Sequence, residues 1–315
     1  MVSSDPIQNV IDQQGFVVLD GALATEMEAR GATLNDPLWS AKLLKENPAL
    51  IRQVHYEYYK NGADIATTAS YQATFEGFAK RGWNRKQAIA LFQLGVQLAN
   101  EARDQFWQET NHQIRVWPLI AASVGPYGAM LADGSEYRGN YGLSVRALMD
   151  FHRPRLEVLM ESGAELLACE TIPSILEAEA LIRLLEEYQE VWAWISFSCA
   201  DEKHLGDGTT FREVLELVSH SLQIVAAGIN CTAPDLISPL LESVKNYNTK
   251  PFIIYPNSGE GWDADRKCWL EDAGPINWEK RIPGWHKKGV RIFGGCCRTS
   301  PEDITRIRAI LGKLS

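Results

Sequence analysis

The joint between the first long predicted helix and the strand after it reads Asn61-Gly62-Ala63-Asp64-Ile65. Two later joints repeat the arrangement, Ser162-Gly163-Ala164-Glu165-Leu166 and Lys288-Gly289-Val290-Arg291-Ile292. In each, a glycine suited to the left-handed conformation at a helix end leads directly into strand-forming residues. Short helix-to-strand connections of this kind are typical of a barrel or a doubly wound α/β sheet.

Working outward from these joints, short apolar runs alternate with longer helical patterns along the whole chain. Eight strands are expected at about 15–20, 64–68, 116–123, 165–170, 191–198, 222–230, 251–255 and 290–295. Helices are expected near 48–60, 84–106, 144–162, 175–188, 211–220, 234–246, 276–287 and 301–312, with a long loop over 127–142. This alternation favours a (β/α)8 TIM-type barrel, which we expect to form a single domain over residues 1–315.

The composition restricts the classes of function. The 315 residues are 45% hydrophobic and carry a formal net charge of −9. Nucleic acid is not expected as a partner because phosphate contacts need a basic face, so a small-molecule ligand fits better. The first residues lack a basic region followed by an apolar run, and no stretch approaches the roughly 18 apolar residues that a membrane span needs. We therefore expect a cytoplasmic protein with no membrane partner, as a monomer or weak homo-oligomer.

The cysteines indicate a metal site. Six cysteines are too few in this chain for the disulfide framework of a secreted protein. Two lie side by side in Gly294-Gly295-Cys296-Cys297, at the end of the eighth strand, and Ser300, Pro301 and Asp303 predict that a helix begins directly afterwards. Cys231 ends the sixth strand, and barrel strands end on one face. Three soft ligands with an open fourth position are typical of catalytic zinc.

Other interpretations of these cysteines remain open. A single cysteine at a strand end is most often a small buried hydrophobic residue. The adjacent pair could also form a strained vicinal disulfide, or supply only one ligand. Cys169 should point to the opposite face of its strand from Glu170, and Cys199 and Cys268 have no thiol partner at ligand spacing. The six histidines lack a metal-ligand spacing, so histidine ligation is not expected.

Polar residues at the other strand ends extend the candidate site. They are Asp20, Thr67, Thr68, Tyr71, Ser123, Glu170, Ser198, Asn230, Tyr255 and Asn257. A carboxylate that ends an apolar strand must be hydrated, paired or used. Asp20 and Glu170 could form salt bridges or caps at the rim, or could flank one ammonium group of a ligand. Trp39, in the loop after the first strand, could pack in the core or cover a cationic ligand.

Several segments together resemble the homocysteine S-methyltransferase family. They are Asp20-Gly21-Ala22, Gly228-Ile229-Asn230-Cys231 and Gly294-Gly295-Cys296-Cys297-Arg298. A second set is similar to the branch that uses S-methylmethionine: Ser123-Val124-Gly125-Pro126-Tyr127-Gly128, Ala132-Asp133-Gly134-Ser135-Glu136-Tyr137-Arg138-Gly139 and Tyr255-Pro256-Asn257-Ser258-Gly259-Glu260. The similarity covers nearly the whole chain, and the ordered set is more specific than any one segment.

The resemblance implies a zinc-dependent (β/α)8 barrel that transfers a methyl group from a sulfonium donor to the thiol of homocysteine, giving methionine. S-methylmethionine is the implied donor, with S-adenosylmethionine as a second possibility. Cys231, Cys296 and Cys297 are the implied Zn²⁺ ligands, and Asp20 and Glu170 are implied to hold the amino group of homocysteine.

The resemblance also assigns further substrate contacts. Thr67 is an implied contact, and Ser123 and Asn230 join it as candidate substrate-binding residues at strand ends. Tyr71 matches a tyrosine that occupies the open zinc position in the related betaine enzyme when substrate is absent, and Trp39 matches a donor-site tryptophan there. The betaine enzyme has a tyrosine where this chain has Thr171, which argues against betaine as donor. A zinc-dependent barrel hydrolase and a betaine-dependent methyltransferase are the alternatives.

Overall fold

The computed structural model describes residues 4–34, 36, 38–188, 190–245, 247, 250–259, 262–263, 268–269 and 274–314. Eight parallel strands form a barrel: β1 (Val17–Val18), β2 (Ile65–Thr67), β3 (Leu119–Val124), β4 (Leu166–Ile172), β5 (Ala193–Phe197), β6 (Ile224–Asn230), β7 (Phe252–Tyr255) and β10 (Val290–Phe293). A short antiparallel pair, β8 (Trp262–Asp263) and β9 (Cys268–Trp269), lies between β7 and β10 in the chain.

Helices connect the strands. They are α1 (Pro6–Gln14), α2 (Leu23–Ala29), α3 (Leu43–Glu46), α4 (Pro48–Lys60), α5 (Phe75–Lys80), α6 (Arg85–Glu109), α7 (Tyr127–Leu131), α8 (Val145–Met160), α9 (Ile175–Leu185), α10 (Phe211–Ser219), α11 (Pro234–Ser243), α12 (Trp278–Lys287) and α13 (Pro301–Leu311). Two 3₁₀ turns lie at Trp39–Lys42 and Ser135–Tyr137. No helix in the described part of the chain combines the length and the apolar character that crossing a membrane requires.

Hydrogen bonds close the barrel. Each strand pairs in parallel with its neighbour in the order β1-β10-β7-β6-β5-β4-β3-β2. Between the two ends of that order, the Asp20 amide donates to the Ile65 carbonyl at 3.0 Å and the Asp64 amide donates to the Val18 carbonyl at 2.6 Å. The three glycines of the helix-to-strand joints all have positive φ, at 119°, 89° and 95° for Gly62, Gly163 and Gly289. The predicted (β/α)8 barrel is confirmed.

Some local predictions were wrong. Residues 127–142 are not one long loop, because they contain α7 and the 3₁₀ turn Ser135–Tyr137. The sequence did not predict α1, α2 or α5, which are short and held by packing more than by helical propensity. In α1, for example, Ile7 and Val10 pack into the same apolar cluster as Trp194 of β5. Predictions on Met1–Ser3, Asn246, Glu260 and the side chain of Cys268 fall outside the described residues.

Strand pleating separates the inside of the barrel from the layer beneath the helices. Val17, Ile65 and Trp194 belong to the inner cluster, whereas Cys169 belongs to the larger cluster between strands and helices. Glu170, one position further along β4, faces the cavity described below. The predicted opposite orientation of Cys169 and Glu170 is therefore confirmed.

Two glycines are predicted to respond to alanine with opposite signs. A Cβ on Gly228 of β6 would lie 1.9 Å from the Ile253 carbonyl oxygen of β7, so Gly228→Ala is expected to destabilise the protein by about 3 kcal/mol. A Cβ on Gly284 of α12 would meet no atom within 4 Å, so Gly284→Ala is expected to stabilise it by about 0.5–1 kcal/mol. Urea unfolding of both variants measures the difference. Equal effects of the two substitutions would contradict this packing.

Candidate active site

A cavity of about 450 Å³ opens at the carboxyl ends of the barrel strands. It brings together nearly all of the predicted site residues, from distant parts of the chain: Asp20, Trp39, Thr67, Tyr71, Ser123, Glu170, Cys231, Cys296 and Cys297. Asn230 is not among the residues that line it. Parallel strands ending on one face explain why residues from strands so far apart in sequence meet here.

Three thiols lie together in this cavity. The Sγ atoms of Cys231, Cys296 and Cys297 all lie within 4.8 Å of one another, and Cys231 Sγ is 3.8 Å from Cys297 Sγ. None of the three forms a disulfide. Tetrahedral zinc with Zn–S bonds of about 2.3 Å requires sulfurs about 3.8 Å apart. The three thiols therefore fit three corners of a tetrahedral metal site, with the fourth corner open.

The backbone holds the two adjacent cysteines between strands β7 and β1. The Cys296 amide donates to the Pro256 carbonyl at 2.8 Å, and the Ser258 amide donates to the Cys297 carbonyl at 3.1 Å. A Cβ on Gly294 would lie 2.6 Å from Leu19 Cβ, and one on Gly295 would lie 2.1 Å from Thr299 Oγ1. Only glycine at both positions permits this close approach.

The helix behind the cysteines begins as predicted. Ser300 is the N-cap of α13, Pro301 follows it, and Asp303 completes the capping box. Thr299 Oγ1 also donates to the Cys296 carbonyl at 2.7 Å. Cys231 is fixed separately: its φ is 47°, in the left-handed region, and its amide donates to the Tyr255 carbonyl at 3.1 Å. The thiols thus project from three fixed backbone positions.

The three thiols shift one another's pKa values. Hydrogen bonds from Cys296 and Cys297 hold the pKa of Cys231 well below its ordinary value. The same hydrogen bonds to Cys231 raise the pKa values of Cys296 and Cys297 well above theirs. Without a cation the cluster therefore favours one thiolate and resists further ionisation, whereas a divalent cation would stabilise all three thiolates.

Tyr137 is a site residue that the sequence did not single out. Its hydroxyl lies 3.3 Å from Cys231 Sγ, and it lines the cavity. The available signal was its position in the segment 132–139, which carried the family resemblance without an assigned role. The contact places the 3₁₀ turn Ser135–Tyr137 directly beside the thiol group.

Asp20 is buried at the end of β1 and is bound by Thr67. The Thr67 amide donates to Asp20 Oδ2 at 2.8 Å, and Thr67 Oγ1 donates to Oδ1 at 2.9 Å. Burial raises the pKa of Asp20 well above its ordinary value, the bonds from Thr67 oppose that rise, and the charge of Glu170 adds to it. A cation in the cavity would stabilise the ionised carboxylate.

Glu170 has a similar environment at the end of β4. Ser123 Oγ donates to Glu170 Oε1. Burial raises the pKa of Glu170 to about 7, while hydrogen bonds from Ser123 and Tyr255 act in the opposite direction. No lysine, arginine or histidine in the described ranges forms an ion pair with Asp20 or Glu170. The salt-bridge interpretation of these carboxylates is thus not supported, and an ammonium ligand fits them.

The pKa of Glu170 predicts how stability depends on pH. The folded pKa of about 7 exceeds the ordinary 4.5, so the folded protein binds this proton more tightly than the unfolded chain. The contribution is therefore fully present below about pH 4.5 and is lost as the pH rises to about 7. Glu170→Gln should consequently be more stable than the wild type at pH 8, by roughly 3 kcal/mol, and equally stable near pH 4.

Urea unfolding at pH 4, 6 and 8, without substrate and at matched metal content, measures this difference. Glu216→Gln, on the exposed surface of α10, is the control and should follow the wild-type curve. If Glu170→Gln were less stable than the wild type at pH 8, the conclusion that burial disfavours the ionised Glu170 carboxylate would be wrong.

Asn230, unlike the other predicted substrate-binding residues, does not line the cavity. It is fully buried, its Oδ1 accepts from the Thr171 amide at 2.8 Å, and its Nδ2 donates to Thr171 Oγ1 at 2.8 Å. Thr171 has φ 62°, a left-handed conformation that a β-branched residue rarely adopts. The geometry fits a positioning role, in which Asn230 holds Thr171 beside Glu170, better than direct contact with a substrate.

Trp39 and Tyr71 form an aromatic wall of the cavity. Their rings meet edge to face, with centroids 6.2 Å apart. The Tyr71 carbonyl accepts from the Gly125 amide at 3.2 Å, and a Cβ on Gly125 would lie 2.5 Å from that carbonyl oxygen. The Gly125 carbonyl in turn accepts from the buried Arg155. Backbone contacts therefore fix Tyr71 in this wall in addition to side-chain packing.

Comparison with known proteins agrees with this geometry. The family model described as Homocysteine S-methyltransferase matches residues 17–311. A homocysteine S-methyltransferase of Bacillus subtilis (strain 168) is 53% identical over 306 residues, 97% of each chain. One of Escherichia coli (strain K12) is 49% identical over 310 residues, 98% of this chain and 99% of the relative.

A solved structure extends the likeness to three dimensions. The metallated form of the homocysteine methyltransferase MmuM from Escherichia coli has a TM-score of 0.87 and 47% identity, covering 97% of this chain and 99% of that chain. The match spans the barrel and the strand ends that carry the cavity. This chain belongs to the homocysteine S-methyltransferase family.

Proposed function

We propose that this protein is a zinc-dependent enzyme that transfers a methyl group from a sulfonium donor, S-methylmethionine or S-adenosylmethionine, to the thiol of homocysteine, giving methionine. The observation that carries the proposal is the cavity, which holds three clustered thiols together with two carboxylates that form no ion pair with any described residue. Family membership supports the same reaction.

Cys231, Cys296 and Cys297 would hold the metal ion. An all-sulfur ligand set favours zinc over hard cations such as magnesium or calcium. When bound there, zinc would lower the pKa of the homocysteine thiol from its usual value of about 8.5 and so supply a thiolate at neutral pH. A reducing compartment such as the cytoplasm would keep the three protein thiols available for the metal.

Asp20 and Glu170 would bind the ammonium group of homocysteine. Thr67 and Ser123 donate hydrogen bonds to these carboxylates and so fix the direction of their free lone pairs. The positive charge of the ligand would offset the cost of burying both carboxylates. Because these carboxylates and the three cysteines line the same cavity, the thiol of the bound homocysteine would be directed toward the cysteines.

Methyl transfer then requires alignment more than acid–base chemistry. The homocysteine sulfur forms the new bond to the methyl carbon, the donor's carbon–sulfur bond breaks, and its electron pair stays on the donor sulfur. The donor begins as a cation and leaves neutral, so no general acid is needed. Trp39 and Tyr71 would position the sulfonium, because an aromatic face attracts a cation.

Methyl transfer to homocysteine with three donors side by side tests the proposal. Zinc-loaded protein should form methionine from homocysteine with S-methylmethionine or S-adenosylmethionine, and none with betaine. Parallel reactions without homocysteine should leave each donor intact, which separates transfer from hydrolysis. Absence of methionine with both sulfonium donors would overturn the proposed function.

A further inference from the structure

We propose that Glu136 binds the α-ammonium group of the methyl donor and so selects a sulfonium that is also an amino acid. This inference rests on the proposed function, since it assigns a partner to the donor of that reaction. It concerns a carboxylate distinct from Asp20 and Glu170, the pair already assigned to homocysteine.

One oxygen of the Glu136 carboxylate lacks a hydrogen-bond donor among the described residues. Glu136 lines the cavity, and no atom in the described part of the chain donates to its buried Oε2 atom. Its nearest cationic neighbour in sequence, Arg138, directs its guanidinium to the Asp133 carbonyl and to Ser135 Oγ. An unsatisfied buried acceptor is costly, and an ammonium group offers three N–H donors where a sulfonium offers none. The missing partner is therefore an ammonium group rather than the sulfonium itself.

The position of Glu136 fits the donor. The adjacent Tyr137 contacts Cys231 Sγ at 3.3 Å, which places this turn next to the three thiols. Burial, with a smaller contribution from the charge of Cys231, raises the pKa of Glu136 to about 7. A bound cation would stabilise the ionised form of this carboxylate. The reaction transfers a methyl group between two amino acids, and each of them has its own ammonium group. Asp20 and Glu170 are assigned to the ammonium group of homocysteine, and Glu136 is available for that of the donor.

The backbone around Glu136 is tightly held. A Cβ on Gly128 would lie 2.4 Å from the Glu136 amide nitrogen, and one on Gly206 would lie 2.2 Å from the Tyr137 carbonyl oxygen. Ser198 Oγ donates to the Glu136 carbonyl at 3.3 Å. Such close contacts on both sides fix the backbone that carries the Glu136 side chain, which lowers the entropy cost of binding.

The test compares Glu136→Gln with the wild type on two donors. One donor is S-methylmethionine, and the other is 4-(dimethylsulfonio)butanoate, which keeps the sulfonium and carboxylate but lacks the ammonium group. Glu136→Gln should raise KM for S-methylmethionine by about 10- to 100-fold, as loss of a charge-assisted hydrogen bond predicts, with the homocysteine KM unchanged. On the deamino donor the variant and the wild type should behave alike.

Asp133→Asn is the matched control. It removes one negative charge three positions away, outside the cavity lining, and keeps an acceptor for the Ser135 amide that Asp133 Oδ1 now binds at 2.9 Å. This control should retain the wild-type KM for both donors. Thermal unfolding and zinc content of every variant check that the fold and the metal site persist.

Three outcomes would overturn the inference: an unchanged S-methylmethionine KM in Glu136→Gln, an equal loss on both donors, or a loss confined to homocysteine. Binding of S-methylmethionine, followed by intrinsic tryptophan fluorescence without homocysteine, provides a second readout and should weaken by the same factor. If the wild type forms no methionine from any donor, the proposed function fails instead, and the fluorescence titration still decides whether Glu136 binds S-methylmethionine.

Discussion

Replacing Cys231, Cys296 or Cys297 by alanine is expected to abolish methyl transfer and to remove most of the bound zinc. Each thiol would occupy one corner of the proposed metal site, since the three Sγ atoms lie within 4.8 Å of one another. Loss of a residue that merely supports a ligand costs about 10- to 100-fold in metal affinity or activity, and loss of a ligand itself should cost more. Without the metal, most of the homocysteine thiol stays protonated at neutral pH.

Zinc content by inductively coupled plasma mass spectrometry, together with methionine formation, measures this prediction. Cys199→Ala is the matched control, because Cys199 is a free thiol outside the cavity lining, and it should retain zinc and activity. Full zinc occupancy in all three site variants would refute the metal assignment. If only one of Cys296 and Cys297 affects zinc, the adjacent pair supplies a single ligand, which is the alternative that the sequence left open.

The sequence was sufficient to predict this thiol group because barrel topology is highly constraining. Glycine at the ends of three helices indicated short helix-to-strand joints, and such joints imply parallel strands that all end on one face. Cys231 and Cys297 are 66 positions apart, yet their placement at strand ends was enough to bring them together. The same rule predicted the convergence of Asp20 and Glu170 on the cavity.

Residues in the segment 127–142 could not be placed in the same way. Strand ends have a fixed direction, whereas the path of this segment depends on single residues with positive φ, such as Ala132 at 56° and Gly134 at 80°. It also depends on contacts with Gly206, which lies far away in sequence. The contact of Tyr137 with Cys231 and the placement of Glu136 in the cavity therefore depend on tertiary structure and leave no periodic signal in the sequence.

Asn230 shows a second limit of strand-end reasoning. Cys231 lies just past the end of β6 (Ile224–Asn230) and has φ 47°, so the regular alternation of side chains along a strand does not extend from Asn230 to Cys231. Cys231 lines the cavity, and Asn230 instead binds Thr171 through both ends of its amide. Sequence position identified a polar residue near the site, but the direction of its side chain required the structure.

Glu170→Gln is expected to weaken homocysteine binding by about 30-fold or more, which corresponds to roughly 2 kcal/mol for removing one partner of a buried charge pair. The amide keeps the size of the carboxylate and can still accept from Ser123, which now donates to Glu170 Oε1. The loss should therefore report the charge and not a collapse of the pocket. Calorimetric titration of zinc-loaded protein with homocysteine measures the affinity.

The matched ligand is 4-mercaptobutanoate, which has the thiol and carboxylate of homocysteine without its ammonium group. It should bind the wild type and Glu170→Gln equally, because the group that Glu170 recognises is missing. An unchanged homocysteine affinity, or an equal loss for both thiols, would contradict the ammonium pocket. The same substitution is expected to raise stability at pH 8, because the ionised carboxylate is buried without a cation in the absence of substrate. Weaker homocysteine binding together with higher stability would show that the charge of Glu170 favours ligand binding and destabilises the protein without its ligand.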